Sequence, residues 1–243
     1  MQYRATLVAA LLVTTSQVAA QLDIPASGTV EKLSTPSTIA SSFDGGNKEF
    51  DRGVTCGEGE NGSDSAVFIL EDGASLSNVI IGAGQREGVH CKGACTLTNV
   101  WFRKVCEDAI SLLGTGDVTI TGGGAQEAKD KVIQHNGRGT VTVTDYTVHN
   151  VGKVYRSCGN CSKNGGPRKV IITGLKATGV KAEVAGINSN YGDTATISGS
   201  CGSGKICQEY KGIDKTQGGD PGKVSTKDSC LGDQGKLASL PAC

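Results

Sequence analysis

The stretch SLSNVIIGAGQREGVHCKGACTLTNVWF, residues 75–102, opens and closes on near-copies of one segment, SLSNVII and TLTNVWF. Each copy alternates polar and apolar residues and then runs into β-branched or aromatic ones, the pattern of a strand with one buried face. Related segments recur further along, DVTITGG at 117–123, TVTVTDY at 140–146, KVIITGL at 169–175 and TATISG at 194–199, at intervals of about 21 to 29 residues. Between them lies a second series whose members all end in glycine: EGVHCKG at 87–93, EDAISLLG at 107–114, DKVIQHNG at 130–137, GKVYRSCG at 152–159 and AGINSNYG at 185–192. Short strands returning at a period near 22 residues mark a solenoid, in which no coil buries its own apolar face and the stack supplies the core. The sequence therefore predicts an all-β, single-domain parallel β-helix. A β-sandwich would have to produce this spacing by coincidence.

Composition agrees. The 243 residues include 36 glycines but only 4% aromatics, so large rings do not build the core. Glycine suits a coil that must turn sharply several times, because it takes positive φ without strain. Lys plus Arg number 24 and Asp plus Glu number 24, which leaves no excess of either sign for a polyanion such as nucleic acid. Arg4, the apolar run at 5–13 and VAA at 18–20 have the order of a secretory signal, and a run that short does not span a bilayer. The expected organisation is a signal peptide at 1–20, an entry and cap at 21–66, coils at 67–200 and a cysteine-containing tail at 201–243, with 21–243 forming one domain of a secreted, monomeric protein. All ten cysteines lie after residue 20, and an even count in an exported chain permits five disulfides. The close pairs Cys91/Cys95 and Cys158/Cys161 lack the repeated intervals of a zinc ribbon. Asn61 and Asn160 begin glycosylation sequons.

Aligning the second series on its terminal glycines and counting back six places gives Glu87, Asp108, Lys131, Lys153 and Gly186. Strands stacked about 4.8 Å apart would make this a charged strip, acidic at one end and basic at the other, with Glu107 beside Asp108 and Arg156 just beyond Lys153. Three crowded carboxylates repel one another unless a cation is shared. Hard oxygen donors in that number suit Ca²⁺. The alternative is a solvated charged face, but such a face would mix its signs. Position four of the same series holds Val89, Ile110, Ile133 and Tyr155, which read as buried. Positions six and four would share a face of an unbroken strand, so the strip requires a corner between them, where Gly88 and Ala109 are small enough to allow one. His90, His135 and His149 form no ladder and read as structural or surface residues. Trp101 reads as a packing residue.

At these residues the chain resembles the family-3 polysaccharide lyases, the small secreted pectate lyases of fungi, oomycetes and bacteria. The resemblance runs from FDGG at 43–46 through RSCGNC at 156–161 and is carried by GASLSNVIIG, EGVHCKGACTLTNVWF, VCEDA at 105–109, DKVIQHNG and GKVYRSCGNC. It implies a right-handed parallel β-helix that cleaves polygalacturonate or pectin of plant cell walls by β-elimination. It also implies Ca²⁺ held by Glu87, Glu107 and Asp108, and Lys131, Lys153 and Arg156 as the catalytic basic residues. Either Lys131 or Arg156 would be the base, a lysine of lowered pKa or an arginine whose guanidinium resists deprotonation, and Lys153 would clamp substrate. Two departures stand out. The family often carries Asp at the position of Glu87, and a carboxylate where this chain has Arg103-Lys104 before VCEDA, so a lysine facing the cation pocket would repel Ca²⁺. A catalytically silent pectin-binding or elicitor-like protein is the alternative function. A polygalacturonase on the same fold is another, although hydrolysis calls for carboxylates paired across the scissile bond.

Overall fold

The computed structural model describes residues 21–57 and 62–243; the signal expected at 1–20 and the sequon residue Asn61 lie outside them. The chain winds as a parallel β-helix whose coils place strands on three faces. The first repeat series forms one face. Leu76, Leu97, Ile120, Val143, Ile172 and Ile197 stand in register on successive coils, and all six are buried. The alternate positions point outward and carry the hydroxyl columns Ser77, Thr98, Thr121, Thr144, Thr173 and Ser198. β-Branched residues suit such a half-buried pleated surface.

The face ends at one sharp corner on every coil. The residue after each hydroxyl takes positive φ: Asn78 at 52°, Asn99 at 54°, Gly122 at 61°, Asp145 at 52°, Gly174 at 69° and Gly199 at 55°. Asparagine, aspartate and glycine are the residues that tolerate this left-handed conformation, which explains why SLSN, TLTN, TITG and TVTD share a shape without sharing a residue. The asparagines also bond along the stack, Asn99 Nδ2 donating to Asn78 Oδ1 at 2.8 Å, while Trp101 Nε1 donates to Asn99 Oδ1 at 2.6 Å. Trp101 lies against Gly124, where an added methyl would come within 2.9 Å of the ring.

The second series forms another face. Its interior column is Phe68, Val89, Ile110, Ile133, Tyr155, Ala185 and Cys207, and these side chains are buried as expected. Strand pairing begins with Glu31–Lys32 and Ser42–Asp51 and continues to Lys205–Lys211 and Cys230–Leu231. Lys205–Lys211 also pairs antiparallel with Gly222–Val224, which lays a hairpin beside the last coil. The ten cysteines form five disulfides: Cys56–Cys106, Cys91–Cys95, Cys158–Cys161, Cys201–Cys243 and Cys207–Cys230. Cys91/Cys95 and Cys158/Cys161 are thus covalent staples. Among the described residues no helix is long and apolar enough to cross a membrane.

Candidate active site

Register places the charged residues. Asp108 stands opposite Lys131 and Lys131 opposite Lys153, while the pairing of Val89 with Ile110 sets Glu87 one coil before Asp108. The expected ladder therefore exists from Glu87 to Lys153. It fails at the next coil, where Lys153 pairs with Glu183 and Gly186 pairs with Arg156. A 3₁₀ turn of three residues, Ser189–Tyr191, lies just before Gly192 and lengthens that coil, so counting back from the glycine stops short of the rung. The ladder goes on through Glu183 to Lys205.

The corner required between positions six and four is present. Residues three apart on a straight strand point to opposite faces, yet His90 Nε2 lies 3.3 Å from Glu87 Oε2. Gly88 makes room for this bend: a methyl there would meet Ala109 O at 2.2 Å and Phe102 Cε1 at 2.7 Å. The result is a groove of about 660 Å³ lined by Glu87, Glu107, Asp108, Lys131, Lys153 and Arg156 together, with His90, Asp130 and Tyr210 beside them.

At the acidic end, burial pushes the Asp108 carboxyl up to about 7; Lys131 opposes this and Glu87 adds to it. Asp108 Oδ1 is buried without a hydrogen-bond partner, although Lys131 Nζ stands 3.4 Å away. Burial likewise lowers His90, against the pull of Asp108 and Glu107. Among the described residues no three His, Cys, Asp or Glu side chains stand close enough to form a ready-made metal cage. The donor chemistry nevertheless fits a hard cation, since Asp108, whose buried Oδ1 has no partner nearer than the Lys131 ammonium, lines a groove with two further carboxylates.

The basic end contains a residue that the spacing did not single out. Asp130 receives hydrogen bonds from both Lys131 and Lys153, the latter at 2.7 Å. Burial would raise Asp130, but the two ammonium groups outweigh it and hold the carboxyl below its usual range. Burial would lower Lys131, but Asp108 and Asp130 hold it above its usual value. These side chains thus do not depress Lys131. Arg156 differs: burial lowers it despite the counter-pull of Tyr210 and Glu183. Its Nη1 donates to Asn188 Oδ1 at 3.1 Å and its Cζ lies 4.0 Å above the centre of the Tyr210 ring. Tyr210 and Glu183 come from later coils, at sequence distances that no local motif spans.

The departures from the family pattern settle elsewhere. Lys104 is exposed and is not among the residues lining the groove. Arg103 bonds Glu49 at 2.5 Å and Ser27 at 3.1 Å, tying the N-terminal segment to the coils. His135 and His149 bond Tyr155 and Thr178 away from the groove.

The pectate lyase family model matches residues 21–217. The chain is 57% identical over 211 residues to a protein named probable pectate lyase E of Aspergillus fumigatus, covering 85% of this chain and 82% of the relative. It is 57% identical over 197 residues to pectate lyase E of Emericella nidulans, covering 79% and 77%. The catalytic domain of pectate lyase PelI from Erwinia chrysanthemi superimposes with a TM-score of 0.71 at 34% identity, covering 85% of this chain and 98% of that domain. PelI in complex with tetragalacturonic acid superimposes with a TM-score of 0.69 at 34% identity, covering 83% and 69%. With a parallel β-helix, a groove that gathers the six predicted charged residues, and relatives of this similarity, the chain belongs to the pectate lyase family and is a pectate lyase.

Proposed function

We propose that the groove binds (1,4)-α-D-galacturonan and cleaves it by β-elimination, leaving a 4,5-unsaturated end. The observation that carries this reading is that one groove gathers three carboxylates, Glu87, Glu107 and Asp108, with Lys131, Lys153 and Arg156, in an order set by strand register, Asp108 opposite Lys131 and Lys131 opposite Lys153. In this reading Glu87, Glu107 and Asp108 hold Ca²⁺, which when bound draws electron density from the uronate carboxylate and acidifies the C5 hydrogen. Arg156, as the neutral guanidine left after its own proton has passed to solvent, takes the C5 proton and becomes guanidinium; burial favours the neutral form and no carboxylate holds it by a hydrogen bond. The electrons of the C5–H bond form the C4=C5 double bond, the C4–O bond breaks, and the leaving oxygen takes a proton from solvent water. Lys131 and Lys153, fixed by Asp130, engage uronate carboxylates. The chain acts outside the cell, as its five disulfides support.

The test is ultraviolet detection of unsaturated ends on polygalacturonate. Arg156→Ala should cut kcat by about 100-fold or more, which corresponds to roughly 3 kcal/mol in the barrier. Lys131→Ala should raise KM as well as lower kcat. Absence of unsaturated product from the wild-type protein would favour the silent binder, and full turnover in Arg156→Ala would remove that residue from the mechanism.

A further inference from the structure

Arg156, Gly186 and Gln208 stand in one register on three successive coils, and Tyr210 follows Gln208 by two residues. Three side chains share the space above Gly186: a methyl added there would come within 2.8 Å of Arg156 Cδ, 2.9 Å of Glu183 Oε1 and 3.3 Å of Tyr210 Cε2. Arg156 Cζ lies over the Tyr210 ring, 4.0 Å from its centroid, and the Tyr210 hydroxyl donates to Glu183 Oε1 at 2.9 Å. Glu183 is itself buried and sits on the charged ladder opposite Lys153. On the other side, Asn188 Oδ1 accepts from Arg156 Nη1, and Asn188 Nδ2 donates to Cys158 O at 2.9 Å.

We infer that Tyr210 is a positioning residue for the elimination: its ring, anchored through the Glu183 hydrogen bond, is the platform that aims the Arg156 guanidinium into the groove. An arginine side chain has many rotamers, and fixing one costs entropy that substrate binding would otherwise have to supply. A ring face attracts a guanidinium without taking any of its N–H donors. A carboxylate in that place would occupy those donors. The ring therefore fixes the direction of Arg156 and leaves the donors available to substrate. Gly186 belongs to the same device, because any side chain there would occupy the volume of the stack.

The inference rests on Arg156 acting in turnover, and the experiment separates the two. Kinetics on polygalacturonate would be measured for Arg156→Ala, Tyr210→Met, Tyr210→Phe and the double variant Arg156→Ala/Tyr210→Met, each checked for wild-type circular dichroism and melting temperature. Tyr210→Met fills a similar volume without a ring face and should lower kcat by about 10-fold or more with KM changed by less than about 2-fold. Tyr210→Phe keeps the face and should hold kcat within about 3-fold of wild type. In the Arg156→Ala background, Tyr210→Met should add nothing. A kcat unchanged in Tyr210→Met while Arg156→Ala is inactive overturns the positioning role alone. A rise in KM at constant kcat overturns it in favour of direct substrate contact, and an additive loss in the double variant overturns it in favour of a general structural effect. Full turnover in Arg156→Ala overturns the reading beneath. Should Tyr210→Met fold poorly, Glu183→Ala replaces it: the positioning role predicts a fall in kcat no larger than that of Tyr210→Phe in the wild-type background and none in Tyr210→Phe, where the hydroxyl link is already gone. Equal falls in both backgrounds overturn it.

Discussion

Lys104 and Asp130 are both charged and both adjoin the motif residues, yet only one of them faces the groove. Asp130 bonds the two lysines of the ladder, whereas Lys104 is exposed outside the groove lining and contributes its carbonyl to Gln85. Lys104→Asp should therefore leave the Ca²⁺ concentration for half-maximal elimination unchanged within about 2-fold, since exposed charges outside a site are screened by water and salt. A several-fold fall in that requirement at low salt would place the lysine at the cation after all. Six of the charged residues of the groove were legible in the sequence because coils of similar length turn sequence intervals into registers. Asp130 was not, because adjacency to Lys131 does not reveal that the Lys153 ammonium on the next coil reaches the same carboxylate. Glu183 was hidden by the 3₁₀ turn Ser189–Tyr191, which displaces the glycine count by its own length, and Tyr210 by lying one coil later, beyond the aligned series.

At the scale of the element, each strand of the second series must bend immediately after its charged residue, and Gly88 shows the constraint. Its Cα faces the backbone carbonyl of Ala109 so closely that a methyl would come within 2.2 Å. A backbone atom cannot rotate away, so Gly88→Ala should cost about 1–3 kcal/mol of stability through overpacking. It should also weaken cation binding, since the shift moves Glu87 relative to Asp108. Calorimetric unfolding and Ca²⁺ titration would check both; a wild-type melting temperature would mean that the coil relaxes freely. The sequence announced this bend through a conflict of faces between Glu87 and Val89. It announced the other corner less directly, as alternating Asn, Asp and Gly at one register, where φ stays near 50–70° in every coil.

Across the whole molecule, one continuous stack couples interior polar groups to stability. His135 is buried with Nδ1 2.8 Å from Tyr155 Oη, and burial, aided by Arg168 and Arg138, pushes its pKa from 6.5 down to about 3. The unfolded chain therefore binds this proton first as pH falls. Stability from His135 staying neutral is complete above about pH 6.5 and is lost toward pH 3, at up to about 1.4 kcal/mol per pH unit. Denaturant unfolding of His135→Gln should show a shallower loss between pH 6.5 and pH 4.5 than wild type. Parallel curves would mean that other groups control acid stability.

The groove joins four coils, so its chemistry tests the account of the whole fold as well as of the site. The most direct measurement is the formation of unsaturated ends on polygalacturonate by protein stripped with EDTA, then titrated with Ca²⁺, for wild type and Asp108→Ala. The account predicts that stripped wild-type protein is inactive and recovers on adding Ca²⁺. Asp108→Ala should keep the wild-type fold and require at least about 10-fold more Ca²⁺, equivalent to about 1.4 kcal/mol in binding. Full elimination by the stripped protein, or an unchanged Ca²⁺ requirement in Asp108→Ala, would contradict it.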